Sequence, residues 1–181
     1  MTFTAPVLNY AQLAPMLIVL AGALIGVLIE AFAPRASRHT SQLFIAVASL
    51  VAAFAALVRV RNQSSVDAAM GSVGFDGAGV LLQGTILIIA LLSVFLIADQ
   101  ENFTALAAAV PGSSEERESL QLDLRVTEVY PLTLFAVAGM LLFPVSTDLI
   151  TLFVALEMLS LPLYLMAGLS RRRRLMSQES A

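Results

Sequence analysis

Five long apolar stretches constrain the fold of this 181-residue chain more than any other feature. A helix needs about 20 mostly apolar residues to cross a bilayer, and each stretch has roughly that length. Lipid offers no partner to backbone N–H and C=O groups, so each stretch is expected to be helical. A membrane β-barrel would instead show segments of about ten alternating residues. The sequence therefore predicts an all-α, polytopic transmembrane helix bundle with about five spanning helices, at residues 13–32, 42–60, 80–98, 128–145 and 149–169.

The composition agrees with a membrane protein and excludes several other classes. Hydrophobic residues make up 59% of the chain and charged residues 13%, against about 25% charged in an average soluble domain. Such a chain has too little polar surface for an ordinary soluble enzyme, a disordered tail or a nucleic-acid binder. It contains no cysteine and one histidine, which excludes disulfides and thiolate or histidine-rich metal sites. We expect the lipid bilayer as its surroundings, and no metal and no nucleic acid as partners.

The distribution of arginine predicts the orientation of the chain. All ten basic residues are Arg. The segments after the first, third and fifth stretches carry eight of them, including the run Arg171 to Arg174, and the opposite side carries two. Because cytoplasmic loops are enriched in Lys and Arg, we expect the N-terminus outside, and the acidic loop 99–127 and the arginine-rich tail 170–181 in the cytoplasm. No positive charge precedes the first stretch, which is therefore expected to be a permanent span rather than a signal peptide.

Glu157 is the most informative single residue, because it is the ninth residue of the fifth stretch. A carboxylate near the bilayer centre costs roughly 2.5–3.5 kcal/mol on insertion scales, and acidic residues at such depth are functional candidates. Ser160 and Tyr164, at i+3 and i+7, are expected on the same side of the helix. Pro162 has no N–H to donate to the carbonyl of Met158, which leaves a polar acceptor one residue from Glu157.

Two interpretations of Glu157 remain open. Burial disfavours a carboxylate and a nearby cation favours it, so a group held between these influences can load and release a proton in a relay. Alternatively, Glu157 is a protonated, hydrogen-bonded interface residue with no role in transport. Apart from Arg59 at the end of the second stretch, the apolar stretches contain no cation, so a counter-charge for Glu157 is expected from another chain or from sequence beyond Ala181.

The other polar residues near the stretches are expected at helix ends. Asp76 and Asp148 are predicted N-caps of the third and fifth helices, and Thr127 is the predicted N-cap of the fourth. Glu30 is interpreted mainly as a helix-end residue that reaches water, with proton uptake or a subunit contact as the alternative.

One part of the sequence resembles a known protein family. The segments 128–132 (EVYPL), 138–140 (AGM) and above all 156–164 (LEMLSLPLY) resemble subunit N of the bacterial proton-pumping NADH-quinone oxidoreductase, respiratory complex I. The similarity is greater to subunit N than to the sister subunits L and M or to Mrp antiporter subunits. It covers residues 128–181, and before them only the hydropathy and the helix start at Asp76 agree.

The resemblance implies an antiporter-like subunit of about 14 helices, of which this chain is an N-terminal portion. In that family the glutamate of the fifth helix, here Glu157, pairs with a lysine on a broken seventh helix and works with further lysines along a central polar axis. This chain contains no lysine, so the resemblance places those partners outside it.

The function implied is that of a membrane-arm subunit, which couples electron transfer from NADH to quinone with proton translocation across the bacterial inner membrane. The implied partners are the neighbouring antiporter-like and small membrane subunits of complex I. NADH, FMN, iron–sulfur clusters and quinone would bind in or near other subunits, with no cofactor in this chain. Two alternatives remain: a structural or assembly subunit without a proton path, and an Mrp-type cation/proton antiporter subunit.

Overall fold

The computed structural model describes residues 8–62, 68–99 and 127–168, and these residues form a bundle of five α-helices. They contain no strand, only two isolated β-bridges, so the all-α prediction is confirmed for this part of the chain. The predicted tail 170–181 and nearly all of the loop 99–127 lie outside the described residues. The helices are α1 (Tyr10–Phe32), α2 (Arg35–Val60), α3 (Gly77–Ala98), α4 (Val129–Leu142) and α5 (Leu149–Gly168), with a 3₁₀ turn at Phe143–Val145.

Four of these helices, α1, α2, α3 and α5, are long and apolar enough to cross a membrane, and α4 with its 3₁₀ turn is shorter. Helix α4 contacts each of the other four helices. Most of its side chains are buried, including Tyr130, Leu134 and Leu141. A helix that is apolar on all sides is typical of a protein interior, and α4 accordingly forms the centre of the bundle.

Helix α2 begins earlier than the hydropathy predicts, at Arg35 rather than near residue 42. Pro34, in an extended conformation with φ −64° and ψ 143°, immediately precedes it, and proline is well tolerated next to a helix start because it needs no N–H partner there. The first two turns of α2 are polar, so a search for apolar residues misses them. Two of their polar side chains, Arg38 and Gln42, form hydrogen bonds with the end of α1.

Two of the predicted N-caps are confirmed. The side chain of Asp76 accepts a hydrogen bond from the N–H of Gly79 at 2.6 Å, at the start of α3. The side chain of Asp148 accepts from the N–H and the hydroxyl of Thr151, both at 2.8 Å, at the start of α5. Both caps supply acceptors to N–H groups that a helix leaves unpaired in its first turn.

The predicted N-cap at Thr127 is wrong. Helix α4 begins at Val129, and the residue before it makes no side-chain capping bond. The hydroxyl of Thr127 instead donates to the carboxylate of Glu30 at 2.7 Å. A hydrogen bond to a charged carboxylate is stronger than a hydrogen bond between two neutral groups. This difference accounts for the role of Thr127 as a donor to Glu30.

At one end of the bundle, the loop between α2 and α3 is hydrogen-bonded to the α4–α5 connection. The N–H of Gly74 donates to the carbonyl of Val145 at 2.9 Å, and the N–H of Thr147 donates to the carbonyl of Ser72 at 3.1 Å. The N–H of Asn9, just before α1, also donates to this loop. These bonds hold the start of α5, and therefore Glu157 on it, in a fixed relation to the other helices.

Candidate functional site

Glu157 lies on α5 as its ninth residue, and its side chain is half-buried. Ala155 and Pro162 are buried, and they belong to the face of α5 that packs against α4. One turn before and one turn after Glu157, Phe153 and Leu161 are exposed. At 3.6 residues per turn, Glu157 points away from the side of α5 that carries Ala155 and Pro162, so the carboxyl group lies on the face of α5 turned away from α4, among exposed apolar side chains.

The backbones of α4 and α5 approach closely beside this residue, at Gly139. A methyl group on Gly139 would lie 2.6 Å from the nitrogen of Leu159 and 2.9 Å from the carbonyl oxygen of Ala155. This is the turn of α5 that contains Met158, whose carbonyl loses its helical donor at Pro162. Gly139 thus allows α4 to pack directly on the segment of α5 that carries the candidate site.

Two polar residues were predicted on the same side of α5 as Glu157. Ser160 is half-buried, and Tyr164 is 68% exposed. Within residues 8–62, 68–99 and 127–168, neither a hydrogen bond nor an ion pair involves the side chain of Glu157. The described part of the chain therefore positions this carboxyl group without supplying its counter-charge, and the identity of that partner stays a prediction.

Glu30, near the end of α1, has a much richer environment than a solvated helix end. Its Oε1 accepts from Nη1 of Arg38 at 3.0 Å, and its Oε2 accepts from Nε2 of Gln42 at 3.1 Å and from the hydroxyl of Thr127 at 2.7 Å. The side chains of Arg38 and Glu30 are only 25% and 19% exposed. These four residues, which we call the Glu30 cluster, connect α1, α2 and the segment just before α4.

The donors of the Glu30 cluster also bind backbone carbonyls of the α1 end. Nε of Arg38 donates to the carbonyl of Ala33, and Nε2 of Gln42 donates to the carbonyl of Gly26, both at 2.8 Å. The carbonyl of Ala33 follows the last turn of α1, where helices leave their acceptors unpaired. The cluster therefore completes the end of α1 as well as joining three elements.

His39 and Tyr130 form a second polar contact beside the Glu30 cluster. The Tyr130 hydroxyl lies 3.0 Å from Nε2 of His39, and the two rings meet edge to face with centroids 5.7 Å apart. Tyr130 is 1% exposed, and a buried tyrosine hydroxyl normally requires such a partner. Together with the neighbouring cluster, this pair fastens the start of α4 to the start of α2.

The position of Glu30 near a helix end is evident from the sequence, but its hydrogen-bond partners were not predicted. One feature of the sequence does indicate that Glu30 and Arg38 are partners. Each of them lies four residues from Pro34, in the connection between α1 and α2. In two antiparallel helices joined by a tight turn, residues at equal distance from the turn face each other. The alternatives for Glu30, proton uptake or a subunit contact, stay predictions.

The hydrogen bonds that Asp148 accepts at the start of α5 also affect its titration. The hydrogen bond from the Thr151 N–H, followed by that from the Thr151 hydroxyl, lowers the pKa of Asp148 below its usual value. Hydrogen bonds to the charged form favour that form. Asp148 is therefore a carboxylate at neutral pH, which suits its capping role at the positive end of the α5 dipole.

Comparison with known proteins finds close relatives that share one name. The chain is 51% identical over 182 residues to NADH-quinone oxidoreductase subunit N of Acidothermus cellulolyticus, covering 98% of this chain and 35% of the relative. It is 47% identical over 205 residues to subunit N of Rhodococcus opacus, covering 99% and 38%. It is 44% identical over 196 residues to subunit N 3 of Streptomyces griseus, covering 99% and 35%. No model of a protein family matches the chain.

The chain belongs to the family of NADH-quinone oxidoreductase subunit N. The resemblance seen in residues 128–181 is thereby confirmed, and it extends to the earlier residues, because the matches cover nearly the whole chain. The chain spans about a third of the length of these subunit N relatives.

A metal site would need several ligands within reach of one another. In the parts of this subunit N chain that the structure describes, no group of three or more His, Cys, Asp or Glu side chains is placed to hold a metal ion. The acidic residues of the described helices are Glu30 and Glu157, and they lie on α1 and α5. The chemistry available at these sites is the binding of protons and of hydrogen-bond donors.

Proposed function

We propose that this chain acts within a membrane-arm subunit of NADH-quinone oxidoreductase that takes part in proton translocation. The subunit N relatives support the assignment to that complex. Four apolar helices of spanning length support a location in the membrane. The arginine distribution supports an outside N-terminus and a cytoplasmic tail 170–181. NADH, FMN, iron–sulfur clusters and quinone belong, in this proposal, to other subunits, and the neighbouring membrane subunits are its partners.

Within this function we assign the role of proton carrier to Glu157. The observation that carries the assignment is an acid in the middle of an apolar helix, half-buried on the face of α5 turned away from α4 and without a side-chain partner among the described residues. A carboxylate at such depth costs roughly 2.5–3.5 kcal/mol and is usually retained for function. A purely structural acid would be expected to have hydrogen-bond donors around it, as Glu30 has.

The chemistry required of Glu157 is reversible protonation. In this proposal the side chain holds a proton when no cation is close. When a cation approaches, the carboxylate becomes favourable and the proton leaves through water. The resemblance to subunit N implies a lysine as that cation, supplied from outside the described residues. The carbonyl of Met158, freed by Pro162, offers an acceptor for a water molecule beside the carboxyl group.

The test is the replacement Glu157→Gln in the complete complex, with Glu157→Asp as its matched control. Glutamine keeps the size and hydrogen-bonding capacity of the side chain but cannot carry a proton. We expect NADH-driven proton translocation by vesicles to fall by roughly tenfold or more, because a positioned acid–base group is worth about 10²–10⁴ in rate. Glu157→Asp keeps a carboxyl group and is expected to retain most of the activity.

The same variants separate the alternatives. If Glu157→Gln pumps like the parent protein, the relay role is wrong. If it instead loses subunits on a native gel while the surviving complex pumps normally, Glu157 has a structural role. Vesicles whose pH changes depend on sodium rather than on NADH would point to an Mrp-type antiporter subunit.

A further inference from the structure

A small cavity lies at the end of the bundle where α1 begins, α2 ends and α3 begins. Its volume is about 100 Å³. Its polar lining comes from Gln12, Arg61 and Asp76, and its apolar lining includes Val60, Phe75 and Val80. The Glu30 cluster lies at the opposite end of α1, so this cavity is separate from the sites described above.

Gln12 is the unusual member of the lining. It lies in the first turn of α1, its side chain is 2% exposed, and its Oε1 has no hydrogen-bond partner among the described residues. Buried amide oxygens are almost always paired, because an unpaired acceptor has lost its bonds to water without replacing them. An acceptor of this kind beside a cavity indicates that the cavity holds a hydrogen-bond donor.

The charges around the cavity restrict what that donor is. Asp76 caps the start of α3 by accepting from the N–H of Gly79 at 2.6 Å, and its carboxylate therefore opposes an anion at that helix end. The guanidinium of Arg61 opposes a cation. Opposite charges at one small site favour a neutral ligand that both donates and accepts hydrogen bonds, and water fits that description best.

The size of the cavity agrees with water. One water molecule needs at least about 10–15 Å³ of such space and two to four polar partners. The cavity has room for a small cluster of waters, and Gln12, Arg61 and Asp76 provide both acceptors and donors.

We propose that this cavity is a built hydration site, in which ordered water donates to the side chain of Gln12 and bridges it to the charged groups of Arg61 and Asp76. The water connects the first turn of α1 to the residues that precede α3. The backbones of α1 and α3 do not run side by side, and the hydrated site lies between side chains of the two helices. This inference does not depend on the role assigned to Glu157.

The test is a density map of the complete complex in lipid nanodiscs, at a resolution where buried waters are visible. We expect one or more water peaks within hydrogen-bond distance of the Gln12 amide. In Gln12→Met, which keeps the side-chain volume without the amide, the peak nearest residue 12 should disappear, and in Gln12→Glu it should remain. A map that shows waters beside other buried polar groups but none at Gln12 overturns the proposal, as does density continuous with a lipid headgroup.

Thermal melting gives an independent result for the same variant. If the cavity is hydrated, Gln12→Met removes a partner of the water and lowers the melting temperature. If the cavity is dry, the same change removes an unpaired buried amide and raises the melting temperature. A rise would therefore contradict the proposal. If Gln12→Met fails to assemble, the map of the parent protein alone decides.

Discussion

Glu30 and Glu157 are the acidic residues of the described helices, and their surroundings are opposite in kind. Glu30 accepts hydrogen bonds from Arg38, Gln42 and Thr127, so its charge is compensated within the chain. Glu157 has no such partner among the described residues. A compensated carboxylate stabilises one arrangement of helices, whereas an uncompensated one can change its protonation state when a cation comes near.

At the residue scale, the Glu30 cluster is expected to stabilise the folded complex. Glu30→Ala removes the acceptor shared by Arg38, Gln42 and Thr127, although Nε2 of Gln42 keeps its bond to the carbonyl of Gly26. An unpaired buried donor costs about 1–3 kcal/mol. Partial exposure of Glu30 and Arg38 reduces the total, so we expect a loss of about 1–3 kcal/mol, seen as a lower melting temperature of the complex. Glu128→Ala is the matched control, because Glu128 is exposed and makes no side-chain capping bond. Equal melting temperatures for the two variants would contradict the clustering of these donors around Glu30.

At the scale of elements, the contact between α4 and α5 depends on Gly139. A methyl group there would lie 2.6 Å from the Leu159 nitrogen, and backbone atoms cannot move aside as the end of a flexible side chain can. Gly139→Ala is therefore expected to separate the two helices and to lower stability by about 1–3 kcal/mol, as overpacking usually does. Proton translocation should fall with it, because α5 carries Glu157.

Gly84→Ala on α3 is the control for this substitution. The nearest atom to an added methyl group there is a Leu57 Cδ2 at 3.6 Å, an ordinary van der Waals distance. The change is expected to be neutral or stabilising by up to about 1 kcal/mol, because alanine favours helix more than glycine does. Melting temperatures of the two variants measure the difference, and a Gly139→Ala complex as stable as Gly84→Ala would show that the close approach is unimportant.

The helices also show how much of the fold can be predicted from one sequence before it is compared with its relatives. Hydropathy located all five helices, because lipid and protein interior both select apolar residues, and the side-chain chemistry of Asp76 and Asp148 located two helix starts. The polar start of α2 and the change of partner at Thr127 were missed, because both depend on contacts between segments distant in sequence. The depth of Glu157 in its apolar stretch identifies it as a candidate, but its position on the face of α5 turned away from α4 follows only from the packing of these two helices.

At the scale of the whole molecule, the arginine distribution predicts which end of the bundle faces the cytoplasm. The chain contains no cysteine, so a single introduced cysteine is unique within it. Met70→Cys, in the loop before α3 where Met70 is 67% exposed, should react with a membrane-impermeant maleimide added to intact cells. Ser177→Cys, in the predicted cytoplasmic tail, should react only in inverted vesicles. The reverse pattern would contradict the predicted orientation.

The most direct test of the account is whether Glu157 gains and loses a proton while the complete complex turns over. Infrared difference spectroscopy of the complex, recorded with and without NADH, detects the carbonyl stretch of a protonated carboxylic acid. We predict a change in this band in the parent protein that is absent in Glu157→Gln and shifted in Glu157→Asp. Identical difference spectra for the parent and Glu157→Gln would show that this carboxyl group keeps one protonation state, and would contradict its role as a proton carrier.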